Sequence, residues 1–233
     1  MFGKAKLYKA TLYEIAILAT YAEVRNNMLK ERGFSPIMDN MEKIILKKID
    51  FANKNNIPFS EFGTRRRYDA AVQDMIIQAI VENSHTCVGT SNVHFAMKYD
   101  LIPSGTFPHE WIMFHAGVFG YKRANYLGLE DWVKVYDGNL GTALIDTYTT
   151  DSFLRTLTRK QAHLFAGFRQ DSGDEYTVAL KVIKRLKELG IDPKSKTLIF
   201  SNALDFDKAN DIKEWMGNRM KVGLGPILLV IQD

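Results

Sequence analysis

Hydrophobic positions near the start of the chain recur with a helical period. Leu7, Leu12, Ile15, Leu18, Ala19 and Ala22 form one stripe that stops at Gly33. A second stripe, Met41, Ile44, Ile45 and Ile49, follows Asp39, a residue suited to capping it. From Pro58 onward the pattern changes to short apolar or β-branched runs alternating with amphipathic segments, as parallel βαβ units require. The runs that read as strands lie near Pro58 to Phe62, Thr86 to Gly89, Ile102 to Gly105, Thr142 to Asp146, Leu164 to Phe168, Thr197 to Phe200 and Lys221 to Leu224. Tyr68 to Glu82, Glu130 to Tyr136, Tyr176 to Leu189 and Asp207 to Met216 read as the helices between them. This succession predicts an α/β barrel of about seven parallel strands over residues 58–225, entered through a helical segment over residues 1–57.

Composition narrows the function classes. With 46% hydrophobic and 25% charged residues among 233, the chain can bury a full core and does not read as disordered. Cys87 is the only cysteine, which excludes a disulfide framework, and no signal-peptide pattern opens the sequence; a cytoplasmic location is expected. The longest apolar stretches, Ile15 to Ala22 and Ile227 to Ile231, are well short of the roughly 20 residues that cross a bilayer, so no membrane partner is expected. A net charge of +4 would suit an anionic ligand, but the basic residues are interspersed with 27 acids; no nucleic-acid partner is expected.

Polar clusters follow the strands: Gly63-Thr64-Arg65, Gly89-Thr90-Ser91-Asn92, Gly105-Thr106, Asp146-Thr147, Arg169 to Asp174 and Ser201-Asn202. The carboxyl-end loops of parallel strands aim at one region, so a composite site is expected there. Within Glu61 to Arg67 an aromatic ring at Phe62 can stack on a flat ligand, and Arg65 can hold phosphate or carboxylate; a solvated basic turn or a nucleic-acid contact explains the segment too. Pro108 restricts the backbone where a helix starts, which sets the direction of His109. A neutral imidazole is a competent nucleophile toward a phosphoryl donor, with Glu110 near enough in sequence to orient it; the alternative is a hydrogen-bonded, half-buried histidine. The other histidines, His85, His94, His115 and His163, read as structural, and no spacing marks a protein-held metal site. Arg169 can grip an anion bidentately, while Asp171 and Asp174 can accept from sugar hydroxyls or from water on Mg²⁺; Asp-Ser-Gly-Asp is equally an ordinary turn and helix cap. Gly223-Leu224-Gly225 can bring backbone donors to a phosphate, and a tight turn explains it equally well.

Read together and in order, Thr11 to Glu14, Glu61 to Arg66, Gly89 to Val93, Gly105-Thr106 with His109 to Trp111, Asp151 to Arg155 and Asp171 to Asp174 resemble the nicotinate phosphoribosyltransferase family from about Leu7 to Gly225. The resemblance implies the irregular α/β barrel of type II phosphoribosyltransferases, with a second domain, acting as a homodimer. It implies formation of nicotinate mononucleotide and pyrophosphate from nicotinate and phosphoribosyl pyrophosphate, with ATP and Mg²⁺ as co-substrates and no tightly bound cofactor. By motif position His109 is the phosphohistidine, Thr106 and Arg169 bind nicotinate, Phe62 stacks on the ring, and Arg65 and Asp171 contact the phosphoribosyl group. A neutral Ser91, where similar nicotinamide-using enzymes carry aspartate, implies a carboxylate substrate rather than an amide.

The sequence also departs from the family pattern. The chain is expected to be cut short at both ends. Pro226 replaces the threonine of the phosphate-binding turn that contains Gly223 and Gly225, removing a hydroxyl and an N–H, and Asn202 stands where aspartate is usual. Residues 226–233 read as an aberrant, frame-shifted tail. The alternative expectation is therefore a catalytically inactive fragment of this enzyme.

Overall fold

The computed structural model describes residues 7–34, 40–202 and 204–225, with side chains from Tyr13 onward. The expected cap Asp39, the side chains of Leu7 and Leu12, and the tail from Pro226 lie outside the described residues. The chain divides into two compact units, one comprising residues up to Ser104 with Asp205–Asp207, the other Gly105–Leu204 and Lys208–Gly225.

In the first unit α1 (Leu7–Glu31) ends as expected: Gly33, at φ +81°, turns the chain, and the Phe34 amide returns to the Leu29 carbonyl. Among the described side chains of its apolar stripe only Ala19 is buried, with Ile15 and Leu18 each 39% exposed. Helix α2 (Met41–Lys54) buries Met41, Ile45, Ile49 and Ala52 on one face. Strand β1 (Phe59–Glu61), α3 (Ala70–Asn83), β2 (Cys87–Thr90) and α4 (Val93–Tyr99) follow, with β1 and β2 parallel. Helix α3 starts two residues later than the periodicity predicts, because the Asp69 carboxylate caps it by accepting from the Val72 amide.

The expected strand Ile102 to Gly105 does not form. A single bridge joins Thr90 to Pro103, and Pro103 has no N–H with which to extend a ladder. The described residues thus show an α/β fold with six parallel strands, not seven.

The second unit contains α5 (His109–Phe119), α6 (Tyr121–Tyr136), β3 (Thr142–Leu144), α7 (Thr150–Thr156), α8 (Arg159–Leu164), β4 (Gly167–Gln170), α9 (Glu175–Glu188), β5 (Thr197–Phe200), most of α10 (Phe206–Met216) and β6 (Lys221–Leu224). Helix α6 begins well before the expected Glu130. Strand β4 begins at Gly167 rather than Leu164, because a capping box between Thr158 and Gln161 carries α8 through Leu164. Gly167 permits the close strand pairing: a Cβ there would stand 2.7 Å from the Thr197 carbonyl oxygen.

Strands β3, β4, β5 and β6 pair in parallel in that order, with Ala143 beside Phe168, Phe168 beside Leu198, and Phe200 beside Leu224. Phe168, Leu198, Ala143, Val182 and Leu186 are fully buried in this unit. Each buried large side chain contributes on the order of 1.5–3 kcal/mol. Because every pair is parallel, the residues just beyond the strands, Asp146, Asp171, Ser201 and Gly225, all leave from the carboxyl edge. Among the described residues no helix is long and apolar enough to cross a membrane.

Candidate active site

Arg169 lies one residue before the end of β4, and its guanidinium is held on three sides. Nε donates to Ser201 Oγ at 2.8 Å, Nη1 to Thr106 Oγ1 at 2.9 Å, and Nη2 to Asp171 Oδ1 at 2.8 Å. Ser201 Oγ also stands 2.7 Å from Asp171 Oδ1, which closes a triangle of polar contacts. A planar fork fixed in this way presents its remaining N–H donors in a set direction, as bidentate recognition of a carboxylate or phosphate requires.

His109 opens α5. Pro108 is the residue before it, extended at φ −81° and ψ 165°, and so fixes where the imidazole leaves the helix. His109 Nε2 stands 3.3 Å from Asp146 Oδ1 just beyond β3. That contact is long, and Asp146 Oδ1 makes no properly directed hydrogen bond among the described residues, so it is an ion pair more than a hydrogen bond. Asp146 Oδ2 accepts from Ser172 Oγ at 2.5 Å and from the Asp171 amide at 3.0 Å. Asp146 raises the imidazole above the ordinary histidine value, against the opposing effect of partial burial. Burial alone would raise Asp146, but His109, Ser172 and the Asp171 amide together hold it below the ordinary aspartate value.

Thr106, His109, Arg169 and Asp171 are thus joined in one polar cluster through Asp146 and Ser201. The sequence offers Glu110 as a carboxylate near His109; the structure places Asp146 beside the ring. Asp146 and Ser201 are expected in the composite site only as members of strand-end polar clusters, without a stated role, and their place after a strand is the signal for both. Asp174 takes the plainer of its two readings, a helix cap accepting from the Thr177 amide at 2.7 Å.

Phe62, Arg65 and Ser91 belong to the first unit. Phe62 is 40% exposed and Ser91 is exposed. Arg65 Nη1 lies 3.0 Å from Glu14 Oε1 of α1, with both side chains partly in solvent. With Arg66 and Arg67 it faces Leu18, Tyr21, Ala22, Arg25 and Asn26 across an open cleft of about 450 Å³. The Ser91 amide donates to the Glu61 carbonyl at 2.9 Å, so the Ser91 loop is bonded to β1.

Gly223 lies within β6, where an added Cβ would stand 2.9 Å from Ile199 Cγ1. The Gly225 amide donates to the Phe200 carbonyl at 2.9 Å. Strand packing accounts for the first glycine, and the second has its N–H engaged in the sheet. His115 is a core histidine, 1% exposed, with its ring nitrogens 2.8 Å from the Trp111 carbonyl and 3.1 Å from Asp131 Oδ2.

This arrangement places the chain in the class of α/β folds that gather anion-binding and titratable groups at the carboxyl ends of parallel strands. Residues 57–227 match the model of the Nicotinate phosphoribosyltransferase (NAPRTase) family. The chain belongs to that family. It is 37% identical to a nicotinate phosphoribosyltransferase of Desulforapulum autotrophicum, over 98% of this chain and 62% of the relative, and 39% identical to one of Chromohalobacter salexigens, over 94% and 56%. Its structure is similar to the crystal structure of nicotinate phosphoribosyltransferase from Porphyromonas gingivalis, with a TM-score of 0.90 at 41% identity over 95% of this chain and 57% of that one. The corresponding Vibrio cholerae structure gives a TM-score of 0.87 at 33% identity, over 96% and 54%. The chain therefore spans a little over half the length of these relatives.

Proposed function

We propose that the chain carries the nicotinate phosphoribosyltransferase reaction of NAD biosynthesis. The pyridine nitrogen of nicotinate bonds to C1 of the ribose as the bond from C1 to pyrophosphate breaks, giving nicotinate mononucleotide and pyrophosphate. The observation that carries this reading is the Arg169 fork, held between Thr106, Asp171 and Ser201. A fixed guanidinium with donors to spare matches the carboxylate that distinguishes nicotinate from nicotinamide. Asp171 supplies negative charge for the ribose hydroxyls and for the cationic character that develops at C1. Phe62, Arg65 and Ser91 extend the same reading to ring stacking, phosphate binding and rejection of the amide.

ATP and Mg²⁺ enter as co-substrates. The Asp146 carboxylate stands 3.3 Å from His109 Nε2, and negative charge on that side favours the tautomer with its proton on Nε2 and its lone pair on Nδ1. That nitrogen attacks the γ-phosphorus as ADP leaves, and water later removes the phosphoryl group. The intact enzyme is proposed to be a homodimer in the cytoplasm.

Titration calorimetry of the purified chain with nicotinate and with nicotinamide tests the reading. Nicotinate is expected to bind at least about tenfold more tightly, since a charge-assisted pair contributes roughly 1.5–3 kcal/mol. Equal affinity for acid and amide would remove Arg169 from the role given to it.

A further inference from the structure

We propose that Glu61 is a positioning residue whose buried carboxylate closes a ring of hydrogen bonds holding the Phe62–Arg65 turn against the Ser91 loop. Glu61 is 3% exposed at the end of β1. Its Oε2 accepts from Thr90 Oγ1 at 2.8 Å, and its Oε1 accepts from the Gly63 amide at 2.5 Å and from Gln73 Nε2 at 3.4 Å. Gln73 Nε2 donates its other hydrogen to Thr64 Oγ1 at 2.7 Å, and Asn92 Nδ2 donates to the same hydroxyl at 3.0 Å. The Asn92 amide donates to Thr90 Oγ1 at 3.1 Å, which completes the circuit.

The ring joins two loops that are far apart in sequence. Phe62 and Arg65 flank Gly63 and Thr64, and Ser91 sits between Thr90 and Asn92, so each proposed substrate residue is the direct neighbour of a ring member. Three donors converge on the carboxylate, two on Oε1 and one on Oε2, so both of its oxygens are engaged. Gly63 is part of the device: a Cβ there would lie 2.6 Å from Glu61 Oε1, so only glycine lets the carboxylate reach its amide. Arg67 joins the network through Gln73 Oε1 at 3.5 Å and pairs with Glu23 at 3.3 Å. Burial pushes Glu61 above the ordinary glutamate value, while the bonds from Thr90, Gly63 and Gln73 pull it back. The fold thus buries an acid whose hydrogen bonds fix the geometry of two loops.

The functional half of this inference rests on the proposed reaction, and the test separates the two. In the full 233-residue chain Glu61→Gln removes the acid while keeping the shape, and Thr90→Val removes the bridging hydroxyl. Amide hydrogen exchange is expected to accelerate together over residues 63–67 and 90–92 in each variant, with the thermal midpoint of Glu61→Gln at pH 7 retained or raised. KM for phosphoribosyl pyrophosphate and nicotinate is expected to rise about tenfold while kcat changes little, as loss of bonds to a charged group implies. The double variant should cost less than the sum of the singles, because both break one ring. Exchange unchanged, or faster in one loop alone, overturns the ring in an active or an inactive chain. Faster exchange with unchanged KM overturns the positioning role. Absence of turnover in the unsubstituted chain counts against the proposed reaction instead, and the exchange measurement still decides the ring.

Discussion

Ser201 Oγ lies 2.8 Å from Arg169 Nε and 2.7 Å from Asp171 Oδ1, so one hydroxyl binds the clamp arginine and its carboxylate neighbour at once. The register between β4 and β5 brings this about. Arg169 pairs with Ile199 and Gln170 with Phe200, which leaves Asp171 and Ser201 side by side beyond the last rungs. The hydroxyl accepts from the guanidinium and can donate to the carboxylate, a polarity that alanine and cysteine do not reproduce.

Ser201→Ala should therefore loosen Arg169 without unfolding the chain. Loss of one hydrogen bond of this kind costs about 1 kcal/mol, and KM for nicotinate should rise several-fold. Steady-state kinetics with varied nicotinate decide it; an unchanged KM would mean that Thr106 and Asp171 suffice to hold the guanidinium.

Arg169→Ala should weaken nicotinate much more, by about 2–5 kcal/mol if its carboxylate is left buried and unpaired, with little change in the melting temperature. Arg169→Lys should not restore the loss, because a point charge cannot donate to Ser201, Thr106 and Asp171 in one plane. A lysine variant that saturates normally with nicotinate would show that charge alone, not the fork, matters.

The His109–Asp146 pair sets a pH dependence. Asp146 raises the folded-state value of His109, so the pair's contribution to stability is fully present below the ordinary histidine value and is lost as pH rises through the raised one. Phosphoryl acceptance needs the neutral ring and should increase over that same interval. Asp146→Asn should move the midpoint of ATP-dependent histidine labelling to lower pH and reduce the maximal labelling. Coincident pH profiles for the two proteins would separate Asp146 from the function of His109.

Gly167→Ala tests the sheet that supports the cluster. A methyl group 2.7 Å from the Thr197 carbonyl must push β4 from β5, at a cost of about 1–3 kcal/mol. Chemical denaturation should show a lower midpoint; equal stability would mean that the strands separate there without penalty.

Much of this arrangement was legible in the residue pattern. The alternation after Pro58 located six of the strands, and the polar run at the end of one of them gave Arg169 and Asp171, because strand ends in a parallel sheet converge by geometry alone; Thr106 and His109 follow an expected strand that does not form. The expected strand at Ile102 to Gly105 failed at Pro103, whose missing N–H was legible in the sequence and argues against a paired strand there. Leu164 was taken for strand because its apolar character does not show that Thr158 and Gln161 cap the preceding helix. Asp146 and Ser201 stand in the expected strand-end clusters, but their partners do not show in the sequence, because each acts on a residue far away along the chain. Glu110 drew attention only as a sequence neighbour of His109.

The most direct test of the central claim is nicotinate mononucleotide formation by the purified chain from nicotinate and phosphoribosyl pyrophosphate, with and without ATP, beside Arg169→Ala as control. The account predicts product from the unsubstituted chain, more of it with ATP, and its loss in the arginine variant at low nicotinate. No product under either condition, or equal product from the variant, would contradict it.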